Sequence, residues 1–147
     1  MTSFTHRYTI PDEELYDVGN WHSPYFFLAF FKARTALFES FGVTQEKIKE
    51  SGLAIVIEEL HSKYRKPLMK GDIALVEIAP VEFKESQMVF LYKVRKEGDE
   101  SLKIRAEGLT IQVLIDRNKI TKASLPSWIK EPLEMIDKAP WPEWIKR

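Results

Sequence analysis

Tyr16, Asp17, Gly19, Asn20, His22, Ser23 and Tyr25 stand close together, immediately ahead of a long apolar segment. An aspartate or a histidine can take a proton from water. Asparagine, serine and tyrosine can hold that water or polarise a carbonyl. This density of polar groups before a helix start makes the stretch the first place to look for acid–base or nucleophilic chemistry. Each residue also has a plainer reading. Asp17 can cap its own turn through an Asx contact, His22 can be an ordinary hydrogen-bonded loop histidine, and Tyr16 can be packing.

The element that positions this loop is the segment Pro24–Phe41, predicted to be one long central helix. Ser23 serves as its N-cap, Pro24 as its first helical residue and Gly42 as the residue that ends it. At 100° per residue, Phe27, Phe30, Phe31, Leu37, Phe38 and Phe41 share a broad face, widened in the first two turns by Phe26, Leu28, Ala29 and Ala33, and only Lys32, Thr35, Ala36 and Glu39 form a possible wet strip. So apolar a helix is mostly buried. Arg34 breaks the apolar face. A buried guanidinium must be paired or face a wet cavity. Arg34 therefore either pairs with a carboxylate on a neighbouring strand, lines a ligand pocket, or snorkels out at the helix edge.

The remaining composition excludes several classes. Lys and Arg total 22 and Asp and Glu total 22, so no net field favours nucleic acid. No cysteine is present, which removes disulfides, cysteine nucleophiles and thiolate metal sites. His6, His22 and His61 are too scattered for a zinc motif, and neither metal nor cofactor is expected. The apolar run Tyr25–Phe31 is too short to span a bilayer, and MTSFTHRYTI lacks the pattern of a signal segment. A cytoplasmic protein with no membrane partner is expected.

In chain order, Phe4–Ile10 alternates as a strand. Strands are also predicted at Leu53–Tyr64, Ile73–Ala79, Met88–Val94 and Leu102–Ile115. Pro80–Ser86 reads as a turn, and Val43–Glu50 as a short helix or loop. Gly108, where the apolar phase shifts, reads as a bulge. Alternation points either Glu58 or Glu59 toward the helix, where it can pair with Arg34. Pro126 opens a short helix, and Lys138–Arg147 an extended, tryptophan-bearing tail. The expectation is a single α+β domain over 1–147, with a core over about 4–130 and a C-terminal extension over 131–147. One long helix lies against a curved antiparallel sheet of about five strands. Such a sheet covers one side of the helix, so a second copy of the chain is expected on the other.

Four segments carry a resemblance to a known family. Tyr25–Arg34 is similar to NYLxxFExAR, Tyr64–Asp72 to YxxPxxxGD, and Ala106–Asp116 to a strand ending in VxxD, with Pro126 opening the tail. Together they resemble the hotdog-fold acyl-CoA thioesterases of the 4-hydroxybenzoyl-CoA type, over about residues 4–130. The loop departs from that family's DxDxxGxVxHxNY. Aligned on Gly19 and Arg34, the catalytic acid falls on Tyr16 and the histidine on Ser23, with Asp17 and His22 one place off. The loop is also similar to thioesterases of enediyne biosynthesis, which have a GNV-like sequence (here Gly19-Asn20-Trp21) and a helix arginine.

The resemblance implies hydrolysis of an acyl- or aroyl-CoA, or acyl-carrier-protein, thioester by a homodimer or homotetramer without cofactor. It implies Asp17 as base or nucleophile, with Asn20, Arg34 and a water carrying the work in the enediyne-like variant. His22 would orient the thioester, and Tyr16 could donate from its phenol. Amides of Ser23 and Tyr25 at the helix start would receive the oxyanion. Glu59 or Glu58 is an alternative acid, and Arg65, Lys66 and Arg117 would hold the CoA phosphates. Two other readings are a non-catalytic acyl-thioester-binding protein and, ranked last, a hotdog dehydratase or hydratase.

Overall fold

The alternation of Phe4, His6, Tyr8 and Ile10 becomes β1 (Phe4–Thr9), and the apolar segment after Ser23 becomes α1 (Pro24–Ser40). The chain then forms α2 (Gln45–Glu50), β2 (Leu53–Tyr64), β3 (Ile73–Phe83), β4 (Gln87–Lys96), β5 (Ala106–Asp116), β6 (Thr121–Lys122) and α3 (Ser127–Glu134). This computed structural model describes residues 3–146; positions 1, 2 and 147, at the ends of the predicted N-terminal and tail segments, lie outside them. The strands form one antiparallel sheet in the order β1-β3-β4-β5-β2, with the short β6 paired to β5. It curls round α1 as a hotdog fold. No described helix is long and apolar enough to cross a membrane.

The core lies between α1 and the concave face of the sheet. Phe26, Ala29, Phe30, Ala33, Leu37 and Phe38 are buried from the helix side. Val76 and Ile78 of β3, Phe90 and Tyr92 of β4, and Ala106 of β5 belong to the same cluster. The predicted helix face is therefore rotated. Phe27, Leu28 and Phe31 are 37–42% exposed, while Ala29 and Ala33, which let the backbone approach the sheet, are fully buried. Nearly every position from Phe26 to Phe31 is apolar, so the sequence has little contrast from which to fix the phase. Ser23 is not the predicted cap: its backbone is already helical and its side chain makes no capping bond. Gly42, at φ +85°, ends the helix as expected.

Three strand predictions change. Pro80 is not in a turn but inside β3, at the irregularity between Pro80 and Glu82, a position where a strand tolerates proline. Leu102–Arg105 lies outside any strand, and β5 starts at Ala106. Gly108 is not a bulge, because its pairing to Ser62 and Tyr92 is regular. It is a glycine because a Cβ there would lie 2.3 Å from Phe30 Cε2, whose ring stacks on Tyr92 at 4.6 Å. The bulge in this part of the sheet is in β2 instead, between Ile57 and Glu59.

β5 is buried along most of its length because both faces are covered. On the convex face Val81, Val89, Leu91, Leu109 and Ile111 form a second cluster, over which Ala139, Trp141, Trp144 and Ile145 pack. The tryptophan-bearing tail thus closes the outer face of the sheet, anchored by the Ala139 N–H donating to the Pro80 carbonyl at 2.8 Å. α3 runs to Glu134, so the extended part starts later than position 131.

Candidate active site

Between β1 and α1 the chain makes a short helical turn at Asp12–Glu14 and then a tight hairpin. Leu15 bridges to Trp21. The Tyr16 N–H donates to the Asn20 carbonyl at 2.8 Å, and the Gly19 N–H to the Tyr16 carbonyl at 2.9 Å. Gly19 closes the turn at φ +87°, a conformation that side chains resist. Asp17 and Val18 form the exposed tip. The hairpin is tied to the Pro67–Asp72 segment: Trp21 N–H donates to the Leu68 carbonyl at 2.8 Å, and Lys70 N–H to the Gly19 carbonyl at 3.0 Å. The YxxPxxxGD stretch therefore supports the loop.

A buried carboxylate that sequence reasoning missed holds the loop from the other side. Glu14 is 6% exposed. Tyr8 Oη lies 2.9 and 2.8 Å from its two oxygens, and Trp21 Nε1–H donates to Oε1 at 3.0 Å. The Tyr8 and Trp21 rings stack at 5.5 Å. Burial, followed by the bond to Glu14, pushes the Tyr8 phenol well above its ordinary range, so it stays a donor. The available signal was a tyrosine and a tryptophan at apolar positions, whose O–H and N–H need an acceptor when buried.

Beside this clamp lies a cavity of about 260 Å³, lined by Asn20, Trp21, His22, Ser23, Phe26, Tyr64, Arg65, Lys66 and Pro67. Asn20 Oδ1 is buried and accepts no hydrogen bond. Tyr25 N–H is used by the His22 carbonyl and Phe26 N–H by the Ser23 carbonyl. Of the two amides predicted for an oxyanion, Tyr25 is therefore occupied. Ser23 N–H has no acceptor among the described residues. The Tyr64 hydroxyl donates to the Ser23 carbonyl at 3.3 Å. Arg65 is held by Glu107 at 2.6 Å, while Lys66 has no carboxylate within 4.0 Å among the described residues.

The cavity thus gathers Asn20, His22, Ser23, Arg65 and Lys66 of the predicted residues. Tyr16 stacks on His22 at 4.7 Å, and Tyr25 sits 6.3 Å from the same ring. Gly19 shapes the turn. Several predicted residues lie elsewhere, among them Arg117, which was expected at the CoA phosphates and does not line this cavity. Asp17, on the exposed tip, does not line the cavity. Glu59 faces away from α1. Because of the bulge, Ile57 and then Leu60 occupy the positions opposite Gln112 and Thr110, and Glu59 lies opposite Ile111 on the convex side. There it contacts His61 at 3.0 Å, while Glu58 accepts from Gln87 at 3.3 Å. The expected pairing of either acid with Arg34 is therefore replaced. Arg34 is buried beside the Tyr92 hydroxyl and the Phe31 ring, roughly 15 Å along α1 from its start. Among the described residues no cluster of three or more His, Cys, Asp or Glu is arranged to hold a metal.

An unpaired amide carbonyl, a free helix-start N–H and a cation around one cavity can hold a water against a polarised carbonyl. The comparisons with known proteins give the family. Residues 16–147 match the family described as the thioesterase-like superfamily. No curated protein matches the sequence. Among solved structures, a hypothetical protein from Aquifex aeolicus is 27% identical, with 88% of this chain and 98% of that one covered at a TM-score of 0.80. A 1,4-dihydroxy-2-naphthoyl-CoA thioesterase from Synechocystis is 19% identical over 89% of this chain and 95% of its own, with a TM-score of 0.82. A hypothetical Staphylococcus aureus protein solved in complex with CoA is 16% identical over 97% and 92%, with a TM-score of 0.86. The last two likenesses concern the fold.

Proposed function

The chain belongs to the thioesterase-like superfamily, and from that premise we propose that it hydrolyses an acyl- or aroyl-CoA, or acyl-carrier-protein, thioester in the cavity at the start of α1. The observation that carries this reading is the buried, unpaired Asn20 Oδ1 in the same cavity as Ser23. A buried carbonyl without a donor is costly unless something fills it, and a nucleophilic water does so. Asn20 orients that water. The Ser23 N–H, aided by the helix dipole, receives the charge that develops on the thioester oxygen. His22, steadied by Tyr16, flanks the thioester, and Lys66 with Arg65 meets the phosphates of CoA. Arg34 and Glu59 have no part in this arrangement, and Asp17 reaches it only through the loop it tips.

A second copy of the chain completes the assembly. β2 is an edge strand in which Ile57 and Leu60 are more than a third exposed, as are Phe27 and Phe31 of α1. An apolar edge of that length favours a partner. A homodimer, or a tetramer built from it, is the expected state, with light scattering giving a multiple of the chain mass.

The test is free-thiol release across acetyl-, medium-chain, long-chain and aryl-CoA thioesters. We expect turnover on at least one, a fall of about a hundredfold in Asn20→Ala, and little change in Asp17→Asn. The reverse pattern, with Asp17→Asn inactive and Asn20→Ala active, would move the chemistry to the tip of the loop. Silence across the panel, with tight binding of a non-hydrolysable acyl-CoA, would make the protein a binding module.

A further inference from the structure

The far half of α1 borders a second cavity that shares no residue with the first. It encloses about 180 Å³ between α1, α2 and the start of β2. Phe31, Phe38, Val43, Ile48 and Ile55 make its walls apolar, and Arg34, Thr35, Gln45 and Arg117 supply its polar groups. Arg34 is 7% exposed. Its neighbours are the Phe31 ring, 5.5 Å away, and the Tyr92 hydroxyl, which is itself engaged with Thr110 at 2.8 Å. Neither neighbour carries a negative charge. Among the described residues no carboxylate lies within 4.0 Å of Arg34 or Arg117. Arg117 is fixed along the cavity by its Nε–H, which donates to the Leu53 carbonyl at 3.3 Å. Gln45 is steadied against Thr35 at 3.4 Å.

A guanidinium buried without an anion is unfavourable, and a carboxylate answers it with two parallel charge-assisted hydrogen bonds. The apolar walls ask for the rest of the ligand to be hydrocarbon or aryl. One water needs about 10–15 Å³ on this measure of volume, so the cavity takes a body of several carbons. We propose that this cavity binds a compact monocarboxylate carried on an apolar body, with Arg34 as the primary contact and Arg117 as the second. The site stands whether or not the first cavity hydrolyses thioesters, because it is read out by binding alone.

Octanoate is the probe, with octan-1-ol as its neutral counterpart, measured by calorimetric titration and thermal melting of the full-length protein. Octanoate should bind saturably and raise Tm, with octan-1-ol at least tenfold weaker. Arg34→Met keeps the length of the side chain and removes the charge. It should fold at least as well as the wild type and lose octanoate binding tenfold or more. Arg117→Ala, at an exposed side chain, should lose it by a smaller factor, and it carries the test on its own if Arg34→Met does not fold. Equal binding of octanoate and octanol, undiminished octanoate binding in both variants, or no binding at millimolar octanoate would each overturn the proposal.

Discussion

The Glu14 clamp and the far half of α1 treat their buried polar groups in opposite ways. At the N-terminal end, the Glu14 carboxylate is closed by Tyr8 and Trp21 of the same chain, and Lys32 Nζ sits 5.1 Å above the Tyr8 ring. Farther along, Arg34 lies beside the neutral Tyr92 hydroxyl and the Phe31 ring, with no carboxylate within 4.0 Å among the described residues. Gln112, fully buried opposite Ile57, has neither amide atom hydrogen-bonded. A polar group that the chain satisfies itself is a scaffold. One that the chain leaves open either costs stability or awaits an outside partner. By this rule the Glu14 clamp exists to set the shape of the loop, whereas Asn20 and Arg34 face cavities that something else enters.

The largest expected effect is at the closed end. Glu14→Ala would strand the Tyr8 hydroxyl and the Trp21 N–H in an apolar setting. Two hydrogen bonds to a charged group contribute about 1.5–3 kcal/mol each, offset by the cost of burying the carboxylate. A loss of about 3 kcal/mol in urea denaturation is expected, with an unchanged slope. Glu14→Gln, which keeps one acceptor, should lose roughly half of that. If Glu14→Ala lost under about 1 kcal/mol, the clamp would not be a scaffold and the contrast between the ends would disappear.

A smaller effect of opposite sign is expected on the far side. Gln112→Met keeps the volume and removes two unpaired polar atoms, so the protein should gain about 1 kcal/mol in the same titration. A loss instead would show that the amide is satisfied in the assembled protein, and the open end would be open only within one chain.

The sequence made the architecture readable and hid much of the site, for identifiable reasons. Alternation in Phe4–Ile10 and the turn residues between strands marked the sheet, because one face of each strand is apolar by necessity. The phase of α1 was not readable, since Phe26, Phe27, Leu28, Phe30 and Phe31 surround the helix. Only the packing of Ala29 and Ala33 on the sheet decides it. Gly108 announced a special position, but only the Phe30 ring above it distinguishes close approach from a bulge. The bulge at Glu58 has no glycine to mark it, and it alone turns Glu59 from the helix to the convex face. Asn20, His22 and Ser23 were legible because neighbours in a loop stay neighbours in space. Glu14 was not, because its acceptor role exists only once Tyr8 and Trp21 fold over it.

The smallest expected effect tests whether the closed end is also closed electrically. His6 lies on the same side of β1 as Tyr8, near Lys32. Burial, followed by the charge of Lys32, lowers its pKa below the ordinary 6.5. The unfolded chain therefore binds this proton more readily than the folded one, and the linkage has one sign: stability is full above pH 6.5 and declines as pH falls toward the lowered value. Glu77, Glu97, Asp99 and Asp116 are all held below their ordinary 4.5 or 3.8 by hydrogen bonds or arginine and lysine partners. Their contribution is lost only at more acid pH, which leaves the window between pH 6.5 and 5 open for His6. His6→Gln, neutral throughout, should flatten the decline of the urea midpoint across that window while matching the wild type at pH 7.5. Equal slopes in the two proteins would mean that a proton enters beside Lys32 without cost, and that the end of α1 closed by Glu14 tolerates an added charge after all.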